Sequence, residues 1–307
     1  MNTCRALLLG LPHEPPIAAV SQALSKFGLQ HLVVDQRQLL FGNVQTCWAE
    51  GNVQGTIEVG GIQINLDSVT GVYSRLMSWS NLPEVVANPE LLIHAYRLHV
   101  AIEAWLETTS ARVLNRTSAN DSNNSKPYQA MLIREHFDIP ATLITNNPEV
   151  FAAFRSEFGH VIYKSISGER SIVTSFTNAD NDRLHLLTNA PVQFQEYVSG
   201  VDVRVHVVGS EVFATCVESN AVDYRYDRSD SVKMSPIELS DTVAAKCIAL
   251  TKQLGLYLSG IDLCYTDDGR IVCFEVNPSP AFTIYEDATG QPISDAVARF
   301  LIGECSY

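Results

Sequence analysis

The stretch Gly260-Ile261-Asp262-Leu263-Cys264-Tyr265-Thr266-Asp267-Asp268-Gly269-Arg270-Ile271-Val272-Cys273-Phe274-Glu275-Val276-Asn277 carries oxygen-bearing side chains at spacings that can hold a cation. Asp268-Gly269 is a strong hairpin signal and favours a two-residue type I′ loop. Counting back from that loop pairs Asp267 with Arg270 and Asp262 with Glu275. Carboxylates directly across two strands, with Cβ atoms roughly 4.5 to 5.5 Å apart, repel unless something positive lies between them. A divalent cation resolves the conflict. Asn277, two residues beyond Glu275 and on the same face, offers a third oxygen. Solvated acids on a surface hairpin are the plain alternative. Against it, Ile261, Leu263, Tyr265, Val272, Phe274 and Val276 make the opposite face apolar enough to pack on a core. The same register aligns Cys264 with Cys273 beside the acids, which leaves zinc as a further alternative. No CxxC motif or nearby His accompanies the pair, and oxygen donors of this kind suit magnesium better. Small buried thiols account for the cysteines.

Two further groups could serve phosphates. Lys164 ends the strand pattern Val161-Ile162-Tyr163-Lys164-Ser165 and precedes Ser167-Gly168-Glu169-Arg170-Ser171, a polar turn suited to lie over phosphates. Asp202 and Arg204 share one face of an extended run, and the turn at Gly209-Ser210 places Arg204 opposite Thr215. Glu169, Arg170 and His206 are weaker candidates for accessory roles.

The elements that must position these groups alternate along the chain. Arg5 to Gly10, Pro16 to Phe27 and Gln30 to Asp35 read as strand, helix and strand, a βαβ opening with one glycine where a dinucleotide fingerprint needs several. Alternating segments from Thr46 to Ile64 give a hairpin or two, followed by a strand at Gly71 to Arg75, a helix at Leu91 to Glu107 and a strand at Val113 to Asn115. The polar run Thr117 to Ser125 is the best linker. Beyond it, helices are expected at Pro127 to His136, from Pro148 to Phe154, at Asp241 to Leu254 and at Ile293 to Leu301. Strands are expected at Ala141 to Ile144, Val161 to Ser165, Val192 to Val198, Val201 to Val208 and Glu211 to Val217. Tyr73, Arg75 and Trp79 are the first domain's candidates for contacts with substrate or a second copy of the chain.

Composition bounds the partners. The chain has 307 residues, 46% apolar and 18% charged, which is ordinary for a globular protein and long enough for two domains. Its 34 acidic against 21 basic residues leave a formal charge of −13, so the surface repels nucleic acid and any ATP site must be locally cationic. No run approaches the roughly 18 apolar residues of a membrane span. Met1 to Gly10 is too short for a signal peptide, and seven scattered cysteines read as mostly reduced thiols. Cytoplasm is the expected compartment.

An ordered set of motifs then stands out: Ser125-Lys126 before a helix; Ile139 to Asn146; Tyr163-Lys164; Gln195-Glu196-Tyr197-Val198; Asp202-Val203-Arg204; Asp223-Tyr224-Arg225; Gly260-Ile261-Asp262; and Glu275 to Pro280. Their order resembles the ATP-grasp ligases, especially RimK-like glutamate ligases and the graspetide (microviridin-type) peptide-maturing ligases. The resemblance covers roughly Val113 to Leu301. It implies an α/β (α+β) ATP-grasp fold, with an N-terminal βαβ-type domain (1–116), a linker and central lobe (117–198) and a C-terminal lobe with the metal site (199–307). The two α+β lobes would enclose ATP. The resemblance also implies that Lys126 and Lys164 contact phosphates, that Glu196, Tyr197 and Val198 bind adenine, and that Asp202 lies near the ribose. Arg225 matches the arginine near the γ-phosphate, and Asp262, Glu275 and Asn277 match the magnesium ligands. Arg225, Lys164 and Arg204 are the catalytic candidates.

The activity so implied is ATP-dependent joining of a carboxylate to an amine or hydroxyl through an acyl phosphate, on a peptide or amino-acid substrate, with magnesium or manganese. A precursor peptide and a homodimer are the partners that fit. A nucleotide sensor without chemistry and an ATP-grasp kinase remain open. Three features depart from the family pattern. One glycine follows Lys164 where relatives often have several, Pro278-Ser279-Pro280-Ala281 replaces the Ala-Ser-Pro-Gly of RimK-like enzymes, and Asp223-Tyr224-Arg225 with Thr142 to Asn146 leans toward graspetide ligases.

Overall fold

The computed structural model describes residues 5–49, 52–120, 125–166, 173–219 and 232–304. The apolar run Ala6 to Leu9 is fully buried, which a strand achieves only when covered on both faces. It forms β1 (Ala6–Gly10), paired in parallel with β2 (His31–Asp35). A three-stranded antiparallel sheet follows, of β3 (Asn43–Ala49), β4 (Asn52–Val59) and β5 (Ile62–Asn65). The chain then returns to the first sheet with β6 (Gly71–Ser74) and β7 (Arg112–Leu114), giving the parallel order β2-β1-β6-β7.

A second four-stranded sheet contains β8 (Thr142–Thr145), β9 (Val161–Lys164), β10 (Thr174–Ser175) and β11 (Val192–Glu196), in the order β10-β9-β11-β8. The largest sheet holds β12 (Gly200–Val208), β13 (Glu211–Glu218), β14 (Lys233–Ile237), β15 (Leu258–Thr266) and β16 (Ile271–Asn277), antiparallel in the order β14-β13-β12-β15-β16. The helices Lys126–Ile133 and Asp241–Gln253 cover one face of this sheet, where Ile133, Val243, Cys247 and Leu250 meet Val203, Val205, Ile261 and Leu263. The helix Ile293–Ile302 packs elsewhere. Its Val297, Phe300 and Leu301 share a core with Ala6, Leu8, Ile17 and Val20 of the first sheet and its helix.

The polar run after Asn115 begins as a helical turn, Thr117–Asn120, where Glu107 accepts hydrogen bonds from the backbone N–H and hydroxyl of Ser118. One local reading is corrected. The hairpin loop has three residues rather than two. Thr266 N–H donates to Arg270 O at 3.1 Å, and Gly269, at φ 86°, is the left-handed third residue of Asp267-Asp268-Gly269. Asp268 favours this longer loop by accepting hydrogen bonds from the Thr266 hydroxyl and from Arg270 Nε.

Candidate active site

The longer loop shifts the register near the tip, so that Tyr265 faces Ile271 and Cys264 faces Val272. A β-bulge at Phe274 restores it, and Asp262 faces Glu275 while Gly260 faces Asn277. Asp262 and Glu275 therefore meet as the acid spacing predicts, although the turn that suggested the pairing is different. The bulge also corrects the side-chain faces. Cys273, not Phe274, enters the core beside Ile261, Leu263 and Val276, and Phe274 turns toward a cleft. Cys264 and Cys273 are not partners, and burial pushes the Cys264 thiol up to about 11 and that of Cys273 well above its usual value. The aligned pair of cysteines on which the zinc alternative rested is therefore absent from this hairpin.

Across the sheet, Thr215, Arg204, Asp262 and Glu275 form one row on four neighbouring strands. Arg204 lies opposite Thr215 as the Gly209-Ser210 turn predicts. Its Nη1 donates to Asp262 Oδ1 at 2.5 Å, with both side chains largely buried. Arg204 is thus a fixed cation beside the acid pair, which answers part of the carboxylate repulsion. Sequence spacing could not show this, because Arg204 and Asp262 lie 58 positions apart in the chain. One signal was present in Gly260. A Cβ there would collide with the Arg204 guanidinium and approach Pro280 at 2.8 Å, so glycine leaves the space that the arginine fills.

Lys126, Lys164 and Glu275 converge on a cleft of about 250 Å³, also lined by Gln129, Thr142, Gln193, Gln195 and Phe274. Each comes from a different support. Lys126 opens the helix Lys126–Ile133, Lys164 ends β9, and Glu275 lies on edge strand β16. Gln129 joins the first of these to the last. Its amide donates to Val276 O at 2.8 Å and accepts from Val276 N–H at 3.0 Å, completing the open edge of β16 as a further strand would. Lys164 is buried opposite Gln193, whose side-chain oxygen finds no hydrogen-bond partner among the described residues. Gln129 and Gln193 escaped sequence reasoning because a neutral glutamine has no spacing rule that marks it, and Gln195 entered only as the first residue of a motif.

The other described candidates are not among the residues that line this cleft. Glu196 and Tyr197 donate their backbone N–H groups to Ala141 O and His160 O, both at 3.0 Å, at the end of β11. Tyr197 also packs on the His160 ring at 4.2 Å, and Val198 follows half-buried. Asp202 sits between Cys264 and Val217, two residues from Arg204 on the same strand. His206 is fully buried against Tyr285, and burial, with Arg204 nearby, holds its pKa well below 6.5. Arg225, Glu169 and Arg170 lie outside the described residues.

A RimK-like ATP-grasp domain matches residues 122–301, which span the cleft, the acid row and both lysines. The chain belongs to the RimK-like ATP-grasp family. Among curated relatives, a probable alpha-L-glutamate ligase of Saccharophagus degradans is 25% identical over 182 residues, 56% of this chain and 60% of that protein. The chain thus spans about three fifths of that relative's length. Solved structures match over nearly the whole chain. The ATP-grasp ligase PsnB, complexed with minimal precursor, Mg and ADP, superposes with a TM-score of 0.81 at 27% identity, covering 99% of this chain and 98% of PsnB. The macrocyclase MdnC of Microcystis aeruginosa, bound with its precursor peptide MdnA, has the same fold, with a TM-score of 0.80 at 24% identity over 98% of this chain and 100% of MdnC. The ATP-grasp fold read from the motif order is therefore the fold of this protein. Among the described residues no helix is long and apolar enough to cross a membrane.

An oxygen-only set of two carboxylates and one amide fits magnesium, a hard cation. Asp262 lies opposite Glu275 in the acid row, Glu275 lines the cleft, and Asn277 ends the same strand as Glu275. These residues would hold the metal, and when bound it would neutralise phosphate charge and polarise the phosphoryl oxygens.

Proposed function

We propose that this chain is an ATP- and magnesium-dependent ligase that joins a carboxylate to an amine or hydroxyl through an acyl phosphate, and that a peptide carries the carboxylate. The observation that carries this reading is the convergence of Lys126, Lys164 and Glu275 on one cleft. A carboxylate attacking a γ-phosphate must approach a group of its own charge. Fixed cations lower that barrier by stabilising the charge shared by the attacking and leaving oxygens. Lys126 and Lys164 both line the cleft and supply positive charge to it, while Arg204 holds Asp262 in place through a charge-assisted hydrogen bond. Burial of Lys164 removes competing water and strengthens its hold on an oxyanion. Glu196 to Val198 as the adenine-binding segment, Asp202 near the ribose and Arg225 at the γ-phosphate belong to the same proposal. So does the division into parts at 1–116, 117–198 and 199–307. The peptide substrate is supported by the precursor bound to PsnB, a relative over the full length.

The test is to incubate purified protein with ATP, magnesium and a panel of acidic peptides, with and without added amines. ADP should be released in proportion to a peptide product that is lighter by one water where the acceptor lies within the peptide, or heavier by the amine less one water where an added amine is the acceptor. A stable phosphorylated product that amines leave unchanged would indicate a kinase, and nucleotide binding without turnover a sensor. Glu275→Gln should lower turnover about a hundredfold or more, because the neutral amide weakens the metal, with the melting temperature held. Normal turnover in that variant would sink the metal assignment. Manganese substitution and light scattering on the same samples read the alternate metal and a second copy of the chain.

A further inference from the structure

We infer that Arg75, from the first sheet, is a positioning residue for Asn277, acting through Ser279. This deepens the proposed function and rests on its assignment of Asn277 as a metal ligand. Arg75 follows β6 directly, and its side chain is only 11% exposed. Nε donates to Glu14 Oε1 at 2.7 Å, which fixes the plane of the guanidinium. Nη1 then reaches across to the large lobe, donating to Ser279 Oγ at 2.9 Å and Pro280 O at 3.3 Å. Ser279 in turn donates its backbone N–H to Asn277 Oδ1 at 2.9 Å. The chain of contacts therefore ends on the oxygen that a cation would share.

A second brace from the same sheet holds the preceding residue, since Asn115 Nδ2 donates to Pro278 O. Prolines at 278 and 280 stiffen the segment between the two braces. An amide that accepts one hydrogen bond in a fixed direction keeps its second lone pair aimed, and outer partners of this kind tune metal affinity. Of Pro278-Ser279-Pro280-Ala281, Ser279 and Pro280 keep the RimK-like pattern while Pro278 departs from it: Ser279 is the relay, and the added proline before it helps to keep it still. The first sheet would in this way set how tightly the second half of the molecule holds its cation.

The experiment measures ADP binding by calorimetry across a magnesium titration, for the unaltered chain, Ser279→Ala, Arg75→Gln and the double variant. Magnesium required for half-maximal enhancement of ADP binding should rise about tenfold in each single variant, with metal-free ADP affinity unchanged. The double variant should resemble either single one, because both cut the same relay. An unchanged magnesium requirement in folded Ser279→Ala overturns the relay, and this small substitution carries the test even if Arg75→Gln fails to fold. Additive losses in the double variant also overturn it. If ADP binding to the unaltered chain ignores magnesium, the metal reading itself falls and the relay with it, an outcome distinct from the other two.

Discussion

His206 shows how much a single buried side chain can set. It lies on β12, fully buried, with both ring nitrogens lacking a hydrogen-bond partner among the described residues, and its ring packs on Tyr285 at 4.9 Å. Burial first, and then the Arg204 charge, disfavour the imidazolium. The unfolded chain takes up a proton near pH 6.5, whereas the folded chain resists it. Stability from this group is therefore intact above pH 6.5 and is lost as pH falls below it, by up to about 1.4 kcal/mol per pH unit. His206→Phe keeps a ring against Tyr285 and removes the titration. Chemical denaturation at pH 7.5 and pH 5 should show a smaller acid loss in the variant than in the parent; equal losses would dismiss the explanation. The sequence marked His206 as a neighbour of Arg204, but only the packed sheet shows that it is sealed.

Elements meet at Asn115, the residue just after β7. Its φ of 58° is left-handed, and its side chain bonds Tyr257 N–H, Leu258 N–H and Leu258 O as well as Pro278 O. One asparagine thus ties the first sheet to the start of β15 and the end of β16. Asparagine suits both needs, since it tolerates the left-handed region and mimics a backbone pair. Asn115→Gly should destabilise by about 2 to 4 kcal/mol through unsatisfied buried amides. Asn115→Ala should cost about 1 kcal/mol more, because alanine also resists the backbone conformation. Urea midpoints of the two variants decide this, and identical midpoints would remove the backbone part of the argument. At the same scale, the hairpin shows what sequence spacing can and cannot say. The pairing of Asp262 with Glu275 was legible because acids cannot face each other idly. The three-residue loop and the bulge were not, since they offset each other and leave that pair where a regular ladder would put it.

For the whole molecule, the decisive feature is that the helix Ile293–Ile302 completes the core of the first sheet. Leu301 is fully buried, and its backbone lies so close to Gly71 that a side chain there would collide. Leu301→Ala should cost about 2 to 5 kcal/mol and lower a single unfolding transition monitored by calorimetry and by hydrogen exchange in β1 and β15 together. Two separate transitions would show that the cores are independent.

What the sequence by itself determined is local or repeated: the apolar runs that become strands, the ordered motifs of the ATP-grasp family, and the acid pair. These follow from side-chain periodicity and from charges that need partners, both of which act over a few residues. Tertiary structure alone decided that Arg204 answers Asp262, that Gln129 docks Lys126 beside Glu275, that Phe274 faces the cleft, and that Arg75 reaches Ser279. Each of these contacts joins strands or helices far apart in the chain. Their closeness depends on how the sheets pack, and packing is a property of the whole core rather than of any stretch within it.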